Sequence, residues 1–181
     1  AIFNLSYNLA AVPLVVVALS YSVAAFPTMA EFVLKDERSH FFEQLLASSR
    51  HIIFWTLPIA VLFLVLRAHI VRIILGTGAF VWVDTRLAAA SLAVFALSIV
   101  FQSLTTLFVR AFYALGKTRP PVVYNIASAV ITIALAFALS SVLEGSTLLK
   151  NLAGSIFRIV DLEGIALLSL PISYLVGSAI N

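Results

Sequence analysis

Long apolar runs broken by short polar connections set the pattern of the chain. Five runs lie at about residues 3–26, 51–75, 87–114, 122–142 and 164–180. At a helical rise of ~1.5 Å per residue, ~20 apolar residues cross the ~30 Å hydrocarbon slab of a bilayer. The first four runs are long enough, and the fifth is marginal. Strands of a membrane barrel would alternate over ~10 residues, and these continuous runs do not. The pattern predicts an all-α polytopic membrane protein with about five transmembrane helices. The chain starts at Ala1 with no basic stretch before its first run and stops at Asn181 in an apolar helix pattern. It is therefore expected to be an internal fragment without a signal peptide.

The connections carry the polar residues. Residues 31–50 hold Glu31, Lys35, Asp36, Glu37, Arg38, Glu43 and Arg50, while Phe41, Phe42, Leu45 and Leu46 fit one helical face. A surface-lying amphipathic helix and a solvated loop both suit this stretch. In residues 76–86, Gly76 and Gly78 read as a helix stop, Asp84 as an N-cap and Trp82 as an interfacial anchor. Residues 116–121, GKTRPP, read as a tight turn, and residues 143–163 as a further interfacial helix or loop. Arg110, Lys117 and Arg119 flank the tight turn with no acid nearby, which places that turn on the cytoplasmic side. Alternation puts 31–50 on the same side.

Composition sharpens the membrane assignment and narrows the chemistry. Of 181 residues 62% are hydrophobic and 10% charged, with a mean hydropathy of +1.13, against about 25% charged residues in soluble domains. The formal charge of +3 is spread over short connections, which argues against a nucleic-acid partner. No cysteine is present, and His40, His51 and His69 are too scattered for a zinc motif. The spans hold no interior Asp or Glu for a proton relay, and no nucleophile–base pair or phosphate-cradling glycine loop occurs. Neither an enzyme nor a cofactor is expected. Arg67 and Arg72 around His69 suit either an anionic lipid headgroup or ordinary snorkelling to the interface.

A polar stripe crosses the third run: Ser91, Ser98, Gln102, Thr105 and Thr106 recur at helical spacing and lead toward Arg110 and Tyr113. A glutamine facing lipid would forfeit its hydrogen bonds at a cost of several kcal/mol, so the stripe faces protein or water. Helix packing and a hydrated cavity wall both satisfy it. The fourth run repeats the theme with Asn125, Ser128 and Thr132, and the fifth has a small-residue ridge at Ser169, Ser173 and Gly177. Pro13, Pro58 and Pro171 fall inside apolar runs, where each removes a backbone donor and bends its helix.

The order of these features resembles the MurJ/MviN family of lipid II flippases, within the multidrug, oligosaccharidyl-lipid and polysaccharide exporters. The resemblance covers nearly the whole chain. It rests on the Phe26-Pro27 exit from the first run, Arg50 followed by Pro58, the set Gly78, Phe80 and Asp84, and above all Phe112-Tyr113 followed by Lys117, Thr118, Arg119 and Pro120. It implies a bundle of fourteen helices in two lobes, of which this chain resembles spans eight to twelve, part of the second lobe. It also implies translocation of an undecaprenyl-pyrophosphate-linked peptidoglycan precursor across the bacterial inner membrane by alternating access, without covalent chemistry. The partners would be lipid II or a similar polyprenyl-pyrophosphate saccharide, the membrane lipids, and the missing N-terminal lobe and C-terminal spans. Asn8, Gln102, Thr105, Thr106 and Asn125 are the candidate cavity residues, and Arg50, Arg110, Lys117 and Arg119 the candidate headgroup or gating residues. Asn8 stands where relatives typically place a cavity arginine; an amide can hydrogen-bond phosphate but cannot neutralise it. A flippase for another polyprenyl-linked saccharide, a drug exporter of the same fold and a non-transporting scaffold are the alternatives. A groove beside the polar stripe would favour transport, and tight occupation of the stripe would favour a scaffold.

Overall fold

The computed structural model describes residues 2–75, 82–145 and 168–181, and within them every regular element is helical. Helix α1 (Ile2–Pro13) continues through a π-helical stretch (Leu14–Leu19) into α2 (Ser20–Leu34). Then come α3 (Arg38–Leu75), α4 (Trp82–Ala114), α5 (Arg119–Gly145) and α6 (Ser169–Ile180). Four helices are long and apolar enough to cross a membrane: Phe3–Leu34, Arg38–Ile74, Thr85–Ala114 and Arg119–Ser141. Even the shortest, 23 residues, reaches about 35 Å. The chain is thus a helical membrane protein.

Helix boundaries outrun the apolar runs. Residues 31–50 form no separate element: Glu31–Leu34 complete α2 and Arg38–Arg50 open α3, with a three-residue turn between. Charged residues lower hydropathy without disfavouring helix, so hydropathy marks the bilayer edge and not the helix end. Pro27 likewise lies inside α2 instead of ending it. Helix α4 starts at Trp82, two residues before Asp84, so Asp84 does not cap it. The glycine stop at Gly76 and Gly78, Phe80, and most of the 143–163 stretch lie outside the described residues.

Two turns at one end of the bundle share a geometry. After α2 the N–H of Glu37 donates to the Phe32 carbonyl (2.9 Å) and that of Asp36 to Val33 (3.2 Å), with Asp36 at φ 58. After α4 the N–H of Lys117 donates to Phe112 (2.9 Å) and that of Gly116 to Tyr113 (2.9 Å), with Gly116 at φ 70. Both are Schellman caps, which close the last carbonyls of a helix through one left-handed residue. Glycine takes that conformation freely, whereas aspartate takes it at a cost. Two exposed ion pairs, Lys35–Glu31 and Arg38–Asp36, decorate the first turn, and His40 Nδ1 lies 3.5 Å from a Glu37 carboxylate oxygen. The hydrogen bond and charge of Glu31 raise the Lys35 pKa.

Proline has different effects at different places. Pro13 has no N–H for the Leu9 carbonyl, and the chain widens at once into the π stretch, a recognised response to a broken hydrogen-bond ladder. Pro58 is interior to α3. Pro171, read from sequence as interior to a span, falls in the first described turn of α6, where N–H groups have no intrahelical acceptor.

Packing centres on α4, which lies against α3, the first span and α6. At one end Ala10, Val71, Ala88, Ala89, Leu92, Phe95, Ala96 and Ile99 form a core, edged by Phe3, Tyr7 and Tyr174. At the other, Ala25, Met29, Phe41, Ile52, Leu107 and Ala111 join α2, α3 and α4. Lipid tails are as apolar as these side chains, so close fit and interhelical hydrogen bonds supply the association. Ser6 Oγ donates to the Ala88 carbonyl (3.0 Å), tying α1 to α4. Helix α5 packs on α6 and scarcely touches α4. Gly177 allows this approach, since a Cβ there would collide with the Thr132 hydroxyl and come within 3.4 Å of the Ser128 carbonyl oxygen.

Candidate functional site

Separation of α5 from α4 leaves a groove along the polar stripe. A cavity of about 450 Å³ is walled by Gln102, Thr105 and Thr106 of α4, Asn125, Ser128 and Thr132 of α5, Tyr174 and Ser178 of α6, and Asn181, which caps α6. Leu14, the first residue of the π stretch, and Ala129 and Ile133 of α5 add apolar lining. No residue of this wall is charged. A second cavity of about 440 Å³ continues along α4, lined by Phe26, Thr105, Thr106, Val109, Arg110 and Tyr113. Thr105 and Thr106 belong to both.

Helical spacing explains the alignment. Thr105 and Thr106 lie three and four residues after Gln102, Arg110 four after Thr106 and Tyr113 three after Arg110, so they share one face of α4. Ser91 and Ser98 on the same helix are buried in packing. Gln102 sits at the boundary: its Nε2 donates to Ser98 Oγ (2.7 Å), and its Oε1 accepts from the Tyr174 hydroxyl (3.1 Å). The two bonds fix the amide and link α4 to α6. Tyr174 also stacks edge-on against Phe95 and Tyr7, with centroids 5.6 Å away in each case. Between α5 and α6, Asn181 Nδ2 donates to Asn125 Oδ1 (2.9 Å).

Four of the five candidate cavity residues therefore meet in the first cavity: Gln102, Thr105, Thr106 and Asn125. Asn8 does not join them. It lies exposed on α1 and lines neither cavity. Of these two cavities the second is lined by one of the cationic candidates, Arg110. It is half-buried and makes no ion pair among the described residues. Lys117 and Arg119 are exposed at the α4–α5 turn, and Arg50 is exposed on α3. The α6 contributors Tyr174, Ser178 and Asn181 escaped sequence reasoning, which took that helix as a packing ridge. Their spacing, four and then three residues, was the available signal.

Comparison with known proteins bears on most of the chain. The family model for lipid II flippase MurJ matches residues 1–159. A probable lipid II flippase MurJ of Thermotoga maritima is 26% identical over 162 residues, 87% of this chain and 33% of its own length. One of Bdellovibrio bacteriovorus is 25% identical over 124 residues, 68% of this chain and 24% of its own length. The chain thus spans between a quarter and a third of the relatives it matches. No solved structure matches it. With a family model covering most of a helical membrane chain, and the helices and polar groove in place, the chain belongs to the lipid II flippase MurJ family.

Proposed function

We propose that the chain is part of a transporter that moves lipid II across the bacterial inner membrane, and that the groove beside α4 forms part of the substrate passage. The observation that carries this is the state of the polar stripe. From Gln102 to Tyr113 it borders two adjoining cavities instead of being filled by neighbouring side chains. A scaffold would gain by filling that space, since unfilled volume forfeits dispersion contacts. Membership of the family supports lipid II as cargo.

In this proposal the bundle works by alternating access against the lobe outside this chain. The α4–α5 turn, with Lys117 and Arg119, faces the cytoplasm and meets anionic headgroups. Gln102, Thr105, Thr106 and Asn125 meet the polar head of the substrate, and Arg110 its charge. The chain forms and breaks no covalent bond. Asn8 leaves α1 without the charge that the family resemblance expects, so neutralisation of the diphosphate falls to Arg110 and to the spans outside this chain.

The test is translocation of labelled lipid II in proteoliposomes by the full-length protein, beside a non-peptidoglycan polyprenyl-linked sugar and an Asn8→Arg variant. Selective movement of lipid II is expected. Movement of the other lipid alone would replace the cargo, and movement of neither by folded protein would end the transport proposal.

A further inference from the structure

Along the first span the buried residues Ala10, Pro13, Ala18, Ser22, Ala25 and Met29 recur after three, five, four, three and four residues. Steps of three and four keep to one face of an α-helix. The single five-residue step falls on the π stretch, whose wider turn takes up the extra residue. A residue directly after a member of this series lies on the flank beside it. Leu14 and Phe26, which follow Pro13 and Ala25, line the first and second cavities. Leu19, which follows Ala18, therefore stands on the same flank between them. The α4 residues common to both cavities are Thr105 and Thr106, so Leu19 belongs to the junction.

We propose that the π turn steps one helical turn toward α2, exchanging Leu19 for Ala18 at the junction and widening the connection between the two cavities. With the five-residue step moved to 17–22, the buried series reads Pro13, Val17, Ser22. Residues before Pro13 and after Ser22 keep their directions, Val17 takes the packed place of Ala18, and Ala18 takes the flank place of Leu19. The step alters the shape of the groove for any cargo; only its use in a passage rests on the proposed transport.

The local chemistry suits such a step. Pro13 has a fixed φ and no N–H, which anchors the upstream end of the turn and leaves the downstream end to move. Val15 and Val16 are 53% and 64% exposed, so they turn without giving up packing, and a β-branched run is crowded in an α-helix. Ser22 is wholly buried, and its hydroxyl has no partner among the described residues. The buried hydroxyls of Thr56 and Ser103 each donate to the carbonyl four residues back (2.7 and 2.6 Å). For Ser22 that carbonyl belongs to Ala18, inside the wide turn. An orphaned hydroxyl disfavours the present position of the turn, and a step changes the carbonyl it faces.

Thiol labelling of the full-length protein in nanodiscs tests the step, with any cysteine outside this chain replaced and a water-soluble methanethiosulfonate as probe. Leu19→Cys reports the present turn and Ala18→Cys the stepped one. Ala25→Cys, in the buried series beyond the turn, reports general loosening. Labelling is expected at Leu19→Cys and, more slowly, at Ala18→Cys, with Ala25→Cys silent. Adding Val17→Phe should slow Ala18→Cys at least about tenfold, the scale of an overpacked position, and leave Leu19→Cys within about twofold. Adding Val17→Ala should speed Ala18→Cys about threefold, because a smaller side chain enters the packed place. That variant decides alone if Val17→Phe does not fold. A silent Ala18→Cys, rates indifferent to residue 17, or labelling of Ala25→Cys alongside Ala18→Cys would overturn the proposal. A protein that labels in the expected pattern but moves no lipid would uphold the step and end the transport proposal, whereas lipid II movement with Ala18→Cys silent would do the reverse.

Discussion

From Leu87 to Ala96 every residue of α4 is buried, whereas from Gln102 to Ala114 full burial falls only on Ser103, Leu107 and Ala111. One helix thus has a closed half and an open half. The closed half carries Ala88, Ala89, Ala90, Ala93 and Ala96, whose small side chains let neighbouring backbones approach from every direction. In the open half the buried residues recur every fourth position, a single stripe against α2 and α3. The face with Gln102, Thr105, Thr106 and Arg110 borders the two cavities, and α6 reaches it at Gln102 through Tyr174. The difference teaches that, among the described residues, the groove lies where α5 stands away from α4, along the half of the helix that is not packed on every side.

The comparison is broken most severely at Ala96. Ala96→Phe would force a ring into the closed half, and a loss of about 3 kcal/mol is expected, read as a lowered midpoint in thermal unfolding of the full-length protein in detergent. A midpoint like that of wild type would mean the closed half is loosely packed. Gln102→Leu acts at the boundary. It removes the bond to Tyr174 that ties α4 to α6, with an expected cost of about 1 kcal/mol in the same assay. The smallest effect on stability belongs to Thr105→Val in the open half, within about 0.5 kcal/mol of wild type. There the change should appear in transport: loss of an acceptor oxygen shared by both cavities is expected to slow lipid II movement in proteoliposomes. A large fall in stability for Thr105→Val would show that the groove wall is structural.

Sequence pattern made the open half legible and left the closed half and the groove's far wall obscure. A glutamine and two threonines inside an apolar run must be satisfied, and their spacing named the face. Separation of α5 from α4 has no local signature, because it depends on α5 finding Gly177 on α6, far along the chain. The long α3 was missed for a related reason: the charged opening at Arg38–Arg50 hides helix continuity from hydropathy. Asn8 was singled out by its expected chemistry, yet its exposed position on α1 follows from which face of that helix holds Ser6 and Ala10 against α4. Tyr174 was legible only as an apolar ring until its hydroxyl met Gln102.

The widened stretch after Pro13 has a consequence for chain length. An α-helix turns about 100° per residue, and an i→i+5 ladder holds roughly one residue more per turn. Leu14–Leu19 therefore acts as a phase shift, so that α1 and α2 present faces that no single helical wheel would align. Dropping one residue within this stretch lets the ladder tighten to α while Ser6 and Met29 keep their directions. The same loss within α1 or α2 would swing half the span by roughly 100° and turn one of those buried residues toward the bilayer. The first span is thus negotiable in length by a single residue at one place, beside the groove.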